Sequence, residues 1–162
     1  MVLYQPFDAT IIVYRKAKAN ARARKRRAIG IDDVDLMDGL DFEQYIAELL
    51  DDLGFKKVEV TKGSGDQGVD VMATLANTKY GIQCKRSGGA VGNKAVQEVL
   101  AGIIYYDDCN RGVVVTNGKF TKSAIELAER TDIILWDREV LIGLLTDRLN
   151  GKTYALEKDL NR

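Results

Sequence analysis

Apolar and polar residues alternate along two neighbouring segments in the middle of the chain, which is the pattern of a β-hairpin. In the first segment, one face carries Val69, Val71, Ala73 and Leu75, and the other carries Asp70, Met72 and Thr74. In the second segment, one face carries Tyr80, Ile82 and Cys84, and the other carries Gly81, Gln83 and Lys85. Two otherwise apolar strands therefore hold three polar side chains, those of Asp70, Gln83 and Lys85.

The register of the hairpin decides whether these three side chains meet. A two-residue turn at 76–77 pairs Asp70 with Gln83, and a turn one residue later pairs Asp70 with Lys85. Both registers place all three side chains on one face, because directly paired residues project to the same side of a sheet. A three-residue loop would instead pair Asp70 with Cys84 and separate the group. We favour a two-residue turn because the turn contains an Asn, which tolerates positive φ.

Apolar periodicity in the rest of the chain predicts further helices and strands around the hairpin. The predicted helices are 41–53, 92–106, one that Thr121 caps, and 140–149, and the predicted strands are 58–60, 111–116 and 133–136. The first three helices have their apolar positions at Phe42, Tyr45, Ile46, Leu49, Leu50 and Leu53, at Val96, Val99, Leu100, Ile103 and Ile104, and at Ile125, Leu127 and Ala128. Asp41 and Gln44 form a capping-box pattern, and Gly54 ends the first helix. This order predicts an α/β three-layer sandwich with a mixed central sheet flanked by helices.

The composition is that of an ordered soluble domain. The chain has 162 residues, of which 46% are hydrophobic, and it has a single Pro. It contains no His, which excludes His general bases, Ser-His-Asp triads and His-ligated metals. Its two Cys predict neither a disulfide framework nor a metal cluster. Neither a signal peptide nor an apolar run of the roughly 20 residues of a membrane helix is visible, so we expect a cytoplasmic protein.

Opposite charges are segregated near the amino terminus, although Lys+Arg and Asp+Glu balance at 24 each. The segment 15–27 carries eight basic residues, and 32–52 carries nine acids and no base. The basic segment either binds nucleic-acid phosphates or is a solvated helix that pairs with the acids after it. The charge reversal predicts a boundary at 28–37, and hence a basic helical arm with an acidic linker at 1–37, a main domain at 38–150 and a polar tail at 151–162.

The hairpin is also the candidate chemical site. A carboxylate, an amide oxygen and an ammonium on one patch of sheet indicate a metal-dependent reaction. Glu43 lies at the edge of the apolar stripe of the first helix. It is either an acid that complements the positive helix amino terminus or a carboxylate at the rim of the core, aimed at the hairpin. Spacing alone favours the first of these two interpretations.

Five segments of the sequence carry a family resemblance. They are FEQYIAELLDDLGF, SGDQGVD, YGIQCKR, VGNKAVQEV and VVVTNGKFTKSAIELA. In motif order and spacing the chain resembles the Mrr-like restriction endonucleases of the PD-(D/E)XK nuclease superfamily. The resemblance implies a restriction-endonuclease-like fold in which Asp70 is the metal-binding Asp, Gln83 and Lys85 form the QxK variant of the motif, and Glu43 is the acid of the first helix.

This resemblance implies a Mg²⁺-dependent DNA endonuclease, with Mn²⁺ as a substitute, that acts in restriction or in DNA defence or repair. The expected metal ligands are Asp70, Gln83 Oε1 and the backbone carbonyl of Cys84. Gln83 brings no charge, so Glu43 would supply the second carboxylate directly or through water. Lys85 would orient the attacking water, deprotonate it or stabilise charge on the phosphate, and the sequence leaves these roles open.

The expected partner is DNA, with no small-molecule cofactor. The basic residues near the ends of elements that flank the site are Arg86, Lys94, Lys119 and Lys122. We also expect a homodimer, which would cut both strands, and the small size leaves room for a targeting partner protein. Two other functions are open, a catalytically silent DNA-binding or interaction module of the same fold and a Holliday-junction resolvase. A complete set of Asp70, Gln83 and Lys85 argues against the silent module.

Overall fold

The computed structural model of the protein describes residues 29–61 and 67–154. Its helices are α1 (Ile31–Val34), α2 (Gly39–Asp52), α3 (Asn93–Tyr105), α4 (Lys122–Thr131) and α5 (Arg138–Leu149). Its strands are β1 (Lys56–Val60), β2 (Val71–Leu75), β3 (Thr78–Lys85), β4 (Arg111–Thr116) and β5 (Ile134–Trp136). This order confirms the predicted series of elements and adds the short helix α1. The basic segment 15–27 lies outside the described residues.

The five strands form one mixed sheet in the order β1-β2-β3-β4-β5. The first three strands pair antiparallel, and β4 and β5 join them parallel. The turn between β2 and β3 consists of Ala76 and Asn77, whose φ angles are 46° and 66°. Both residues thus adopt the positive φ that a tight two-residue hairpin turn requires. Val71 lies opposite Ile82, so the hairpin has the predicted register that pairs residue 70 with residue 83.

Two apolar clusters, one on each face of the sheet, form the core. The first lies under α1, α2 and α5, and the second lies under α3 and α4. The strand β4 is buried on both faces, as its continuous apolar sequence predicts. These layers confirm the predicted sandwich. No helix in the described part of the chain is long and apolar enough to span a bilayer.

The start of α2 differs from the prediction. The N-cap is Asp38, whose side chain accepts a hydrogen bond from the backbone N–H of Asp41 at 2.8 Å. The predicted capping box of Asp41 and Gln44 is therefore wrong. Asp41 lies in the first turn instead, where a carboxylate complements the positive end of the helix. At the other end, Gly54 has a φ of 97° and ends the helix as predicted.

Two residues predicted to be buried face solvent. Ile104 is 70% exposed on α3, and Ile125 on α4 is also exposed. Small residues take the sheet-facing positions instead, with Gly102 buried on α3 and Ala124 on α4. The helices therefore lie close to the sheet, and the buried face is narrower than the apolar stripe. The apolar stripe in the sequence includes large residues at its edges. When the helix packs closely on the sheet through small residues, these large residues stay exposed to solvent.

Val69 also departs from the predicted alternation. It packs in the second cluster with Met72, whereas Val71 and Ala73 face the first cluster. Regular strand structure begins only at Val71, and the preceding Gly68 has a φ of 84°. The period-2 pattern does not apply ahead of the strand, so Val69 turns toward α3.

The predicted polar tail is ordered at its beginning. Tyr154 is buried, with its ring centroid 5.4 Å from that of Phe55 and 5.5 Å from that of Trp136. Its backbone N–H donates to the carbonyl of Leu53 at 2.9 Å. At the other end of the described core, Val34 is fully buried. Val34 and Tyr154, which lie outside the predicted domain of 38–150, thus pack into the core, and residues 155–162 lie outside the description.

Candidate functional site

Asp70 and Gln83 meet at the end of the hairpin, as the register requires. Asp70 directly precedes β2, Gln83 lies on β3, and the two side chains are 4% and 5% exposed. Gln83 Nε2 donates to Asp70 Oδ2 at 2.5 Å, and the backbone N–H of Cys84 donates to the same oxygen at 2.6 Å. Two donors therefore fix the orientation of a buried carboxylate.

The other polar atom of Gln83 is available to a ligand. Its Oε1 is buried and has no hydrogen-bond partner among the described residues. A buried acceptor without a partner is costly, so it calls for an explanation such as a bound ion or water molecule. An amide oxygen beside a carboxylate is a donor set that Mg²⁺ prefers. Within the described chain no three His, Cys, Asp or Glu side chains cluster to hold a metal, so the amide and backbone oxygens must complete any site here. The donors present fit this requirement.

Cys84 points away from this pair. Its side chain is buried in the first apolar cluster, on the α2 face, whereas Met72, which shares its face with Asp70, lies in the second cluster. Burial raises the pKa of the Cys84 thiol well above its ordinary value, and the charges of Asp70 and Glu43 raise it further. The Cys84 side chain is thus an inert part of the core, and only its backbone can serve a site on the other face.

Glu43 belongs to α2, the helix that covers the Cys84 face of the sheet. It is half-buried on α2, and its charge acts on the Cys84 thiol together with those of Asp70 and Lys85. Its role as a metal ligand stays a prediction.

Lys85 ends β3 on the α3 side and forms an ion pair with Glu98. Its Nζ lies 2.7 Å from Glu98 Oε2, and the two side chains are 33% and 31% exposed. Glu98 was not predicted as a site residue. The signal lies in the motif VGNKAVQEV, where Glu98 adjoins Val99, a buried residue of the sheet-facing side of α3. An acid at the margin of a buried helix face needs a nearby cation, and Lys85 supplies it.

A cleft of about 500 Å³ opens where the chain leaves β3 and β4, and its lining begins at Arg86, the residue after Lys85. Its lining includes Arg86 and Lys119, two of the four predicted DNA-binding residues, and also Arg138. Lys94 and Lys122, the other two predicted DNA-binding residues, do not line the cleft. Lys94 lies 3.8 Å from Glu98, and Lys122 lies on α4, 3.7 Å from a glutamate one turn later. Arg138 is a basic residue of this edge that sequence reasoning missed.

A polar network fixes one wall of the cleft. Arg138 binds Asp35 through both ends of its guanidinium, with two N–O distances of 2.8 Å. Asn117 Nδ2 donates to Asp35 Oδ1 at 2.8 Å, and Asn117 Oδ1 accepts from the backbone N–H of Ser87 at 2.8 Å. The network therefore ties α1, β4 and α5 to the segment that follows Lys85.

The Asp35 network makes stability depend on pH in the acid range. Hydrogen bonds from Arg138 and then Asn117 lower the pKa of Asp35 below its ordinary value. Because the pKa of Asp35 is lower in the folded state than its unfolded value of about 3.9, the ionised carboxylate stabilises the fold above that pH. This contribution is lost as the pH falls through the folded-state pKa. We expect Asp35→Asn to unfold at lower denaturant concentration than the native protein at pH 7, and the difference to close below about pH 4.

Urea titrations at several pH values check this expectation. Asp32→Asn is the matched control, because Asp32 is exposed and lies 3.9 Å from the same arginine. An Asp35→Asn deficit that stays constant down to pH 3 would contradict the assignment.

Comparison with known proteins gives a family and a fold. The family model Mrr_cat, described as "Restriction endonuclease", matches residues 34–145. No curated protein matches the chain. Two solved structures are similar at 23% sequence identity. AF1548, a protein of unknown function, has a TM-score of 0.53, with 64% of each chain covered. The DNA modification-dependent restriction endonuclease AspBHI has a TM-score of 0.52, with 68% of this chain and 31% of that chain covered. The chain thus spans less than two thirds of the length of either protein.

Proposed function

The chain belongs to the Mrr-type restriction endonuclease family, and we propose that it is a metal-dependent DNA endonuclease that hydrolyses phosphodiester bonds. The observation that carries the proposal is the buried pair of Asp70 and Gln83, in which Oε1 of Gln83 has no partner among the described residues. Lys85 lies two residues after Gln83 on the same face of the strand. A silent module of the same fold gains no stability from a buried acceptor without a partner.

Asp70, Gln83 Oε1 and the backbone carbonyl of Cys84 are the proposed metal ligands, with Glu43 as a second carboxylate from α2. These are hard oxygen donors, so Mg²⁺ is the proposed cofactor and Mn²⁺ a substitute. The bound ion would polarise the phosphate and lower the pKa of a water molecule. The protein itself holds Asp70 in place through Gln83 Nε2 and the Cys84 N–H.

Lys85 is proposed to act as a charged donor to the phosphate. Glu98 lies 2.7 Å from its Nζ, and a lysine ammonium offers three N–H groups to phosphate oxygens. Charge that develops on the phosphate in the transition state is stabilised by a cation already held in place. Of the three roles that the sequence leaves open, this geometry supports charge stabilisation.

Cleavage of DNA in the presence and absence of metal tests the proposed function. The substrates are supercoiled plasmid, methylated plasmid and a four-way junction, each with Mg²⁺, Mn²⁺ or excess EDTA. We expect nicked or linear product with either metal and none with EDTA. Preferential cleavage of the junction would assign a resolvase activity. Failure to cut any of these substrates would favour the silent module.

The cleft that Arg86, Asn117 and Lys119 line is proposed to bind the DNA backbone through Arg86 and Lys119. Each lost phosphate contact is expected to weaken binding uniformly across sequences and to reduce the slope of log K against log salt by about one. Arg86→Ala and Lys119→Ala should both show this change in fluorescence anisotropy with labelled duplex and Ca²⁺ in place of Mg²⁺. Lys122→Ala is the control, because Lys122 does not line the cleft and pairs with its own helix. Equal salt slopes for all three variants would contradict the assignment.

A further inference from the structure

Glu98 contacts the lysine of the candidate site, although it belongs to neither the hairpin nor the predicted set of site residues. Its Oε2 is buried and lies 2.7 Å from Lys85 Nζ, an ion-pair contact without the angles of a hydrogen bond. Its other oxygen, Oε1, lies 3.8 Å from Lys94, which is almost fully exposed. The close, partly buried contact is thus with Lys85. The contact with Lys94 is the ordinary surface pair of residues one helical turn apart, which contributes little.

Close packing at two glycines fixes where Glu98 lies relative to Asp70. A Cβ atom added at Gly68 would lie 2.1 Å from the backbone oxygen of Glu98. One added at Gly102, one turn along α3, would lie 2.7 Å from the backbone oxygen of Gln67. The segment that leads into Asp70 therefore rests directly on α3 at Glu98. The same helix thus sets the position of the carboxylate at one end of the site and holds the lysine at the other.

We propose that Glu98 is a positioning residue that holds the Lys85 ammonium beside the Asp70–Gln83 pair. This inference rests on the proposed endonuclease function. A lysine side chain has four rotatable bonds, and a third of the Lys85 side chain is exposed, so it needs a fixed partner to stay in one rotamer. Glu98 is anchored on a helix whose backbone contacts the hairpin, and it provides that partner. The lysine is then held in position before the substrate arrives.

Glu98→Gln tests the proposal, because glutamine keeps the size of the side chain and removes its charge. We expect its single-turnover cleavage of plasmid to be slower by about tenfold, with unchanged duplex binding in Ca²⁺ and an unchanged melting temperature. Glu126→Gln is the matched control, since Glu126 forms a helix-surface ion pair 3.7 Å from Lys122. In a Lys85→Ala background, Glu98→Gln should cause no further loss, because the group that it positions is gone.

A spectroscopic measurement separates this inference from the proposed function. In ¹⁵N-lysine-labelled protein, the Lys85 ammonium should give a signal protected from solvent exchange, and Glu98→Gln should remove that protection while Glu126→Gln leaves it. Lys85 protection that persists in Glu98→Gln would overturn the inference, as would an equal loss of rate in the Lys85→Ala background. Absence of cleavage by the native protein would instead overturn the proposed function, whatever the lysine signal shows.

Discussion

Replacing Asp70 by Asn is expected to abolish metal-dependent DNA cleavage without unfolding the protein. Asn has the shape of Asp and keeps an oxygen to accept the hydrogen bonds from Gln83 Nε2 and the Cys84 N–H. It removes the negative charge that a divalent cation requires at this position. Circular dichroism and the melting temperature should stay near the native values, while cleavage of supercoiled plasmid falls below detection.

Lys85→Ala is the companion change at the same site. We expect its single-turnover cleavage to fall about 10²–10³-fold, which is the usual effect of removing one group that stabilises transition-state charge. Lys79→Ala is its matched control, because Lys79 lies on the same strand and also forms an ion pair, 2.7 Å from Asp108. Full activity in Asp70→Asn, or equal losses in the two lysine variants, would show that the chemistry takes place elsewhere.

Gly102→Ala in α3 is expected to destabilise the protein strongly. The new Cβ would lie 2.6 Å from Val69 Cγ2 and 2.7 Å from the backbone oxygen of Gln67. Because one of these contacts is backbone, relief requires the segment before Asp70 to move away from α3. We expect a loss of about 2–4 kcal/mol in the free energy of unfolding, together with a loss of cleavage.

Gly143→Ala in α5 is the control for this change, since no atom lies within 4 Å of the added Cβ. Alanine is the better helix former, so this variant should be more stable by about 0.5–1 kcal/mol. Urea denaturation of both variants measures the contrast. Gly102→Ala as stable as Gly143→Ala would contradict the close approach of the hairpin to α3.

The hairpin could be predicted because its signals are local. Alternation of apolar and polar residues sets which side chains share a face, and a two-residue turn sets which residues pair. The observed turn at Ala76 and Asn77 selects one of the two registers that place Asp70, Gln83 and Lys85 together. The family resemblance identified these residues as a site, and membership of that family is confirmed by the match over residues 34–145.

What could not be predicted depends on contacts between distant parts of the chain. Arg138 and Asp35 are 103 residues apart, and no periodicity links them. Glu98 joins the site only because α3 packs closely on the segment before β2, and this depends on where two glycines meet. The exposure of Ile125 follows from the same close packing, since small residues of the helices face the sheet. Sequence patterns show which residues share one face of a helix or strand, whereas tertiary packing determines which residues of other elements they contact.

The central claim is that Asp70 and Gln83 form a divalent metal site. Titration calorimetry with Mn²⁺ in the absence of DNA tests it most directly, on the native protein and on Asp70→Asn purified in the same way. We predict saturable Mn²⁺ binding by the native protein, its loss in Asp70→Asn, and weaker binding in Gln83→Ala. The first substitution removes the negative charge of the site, and the second removes an oxygen ligand. Mn²⁺ binding of equal affinity in the native protein and Asp70→Asn would contradict the claim.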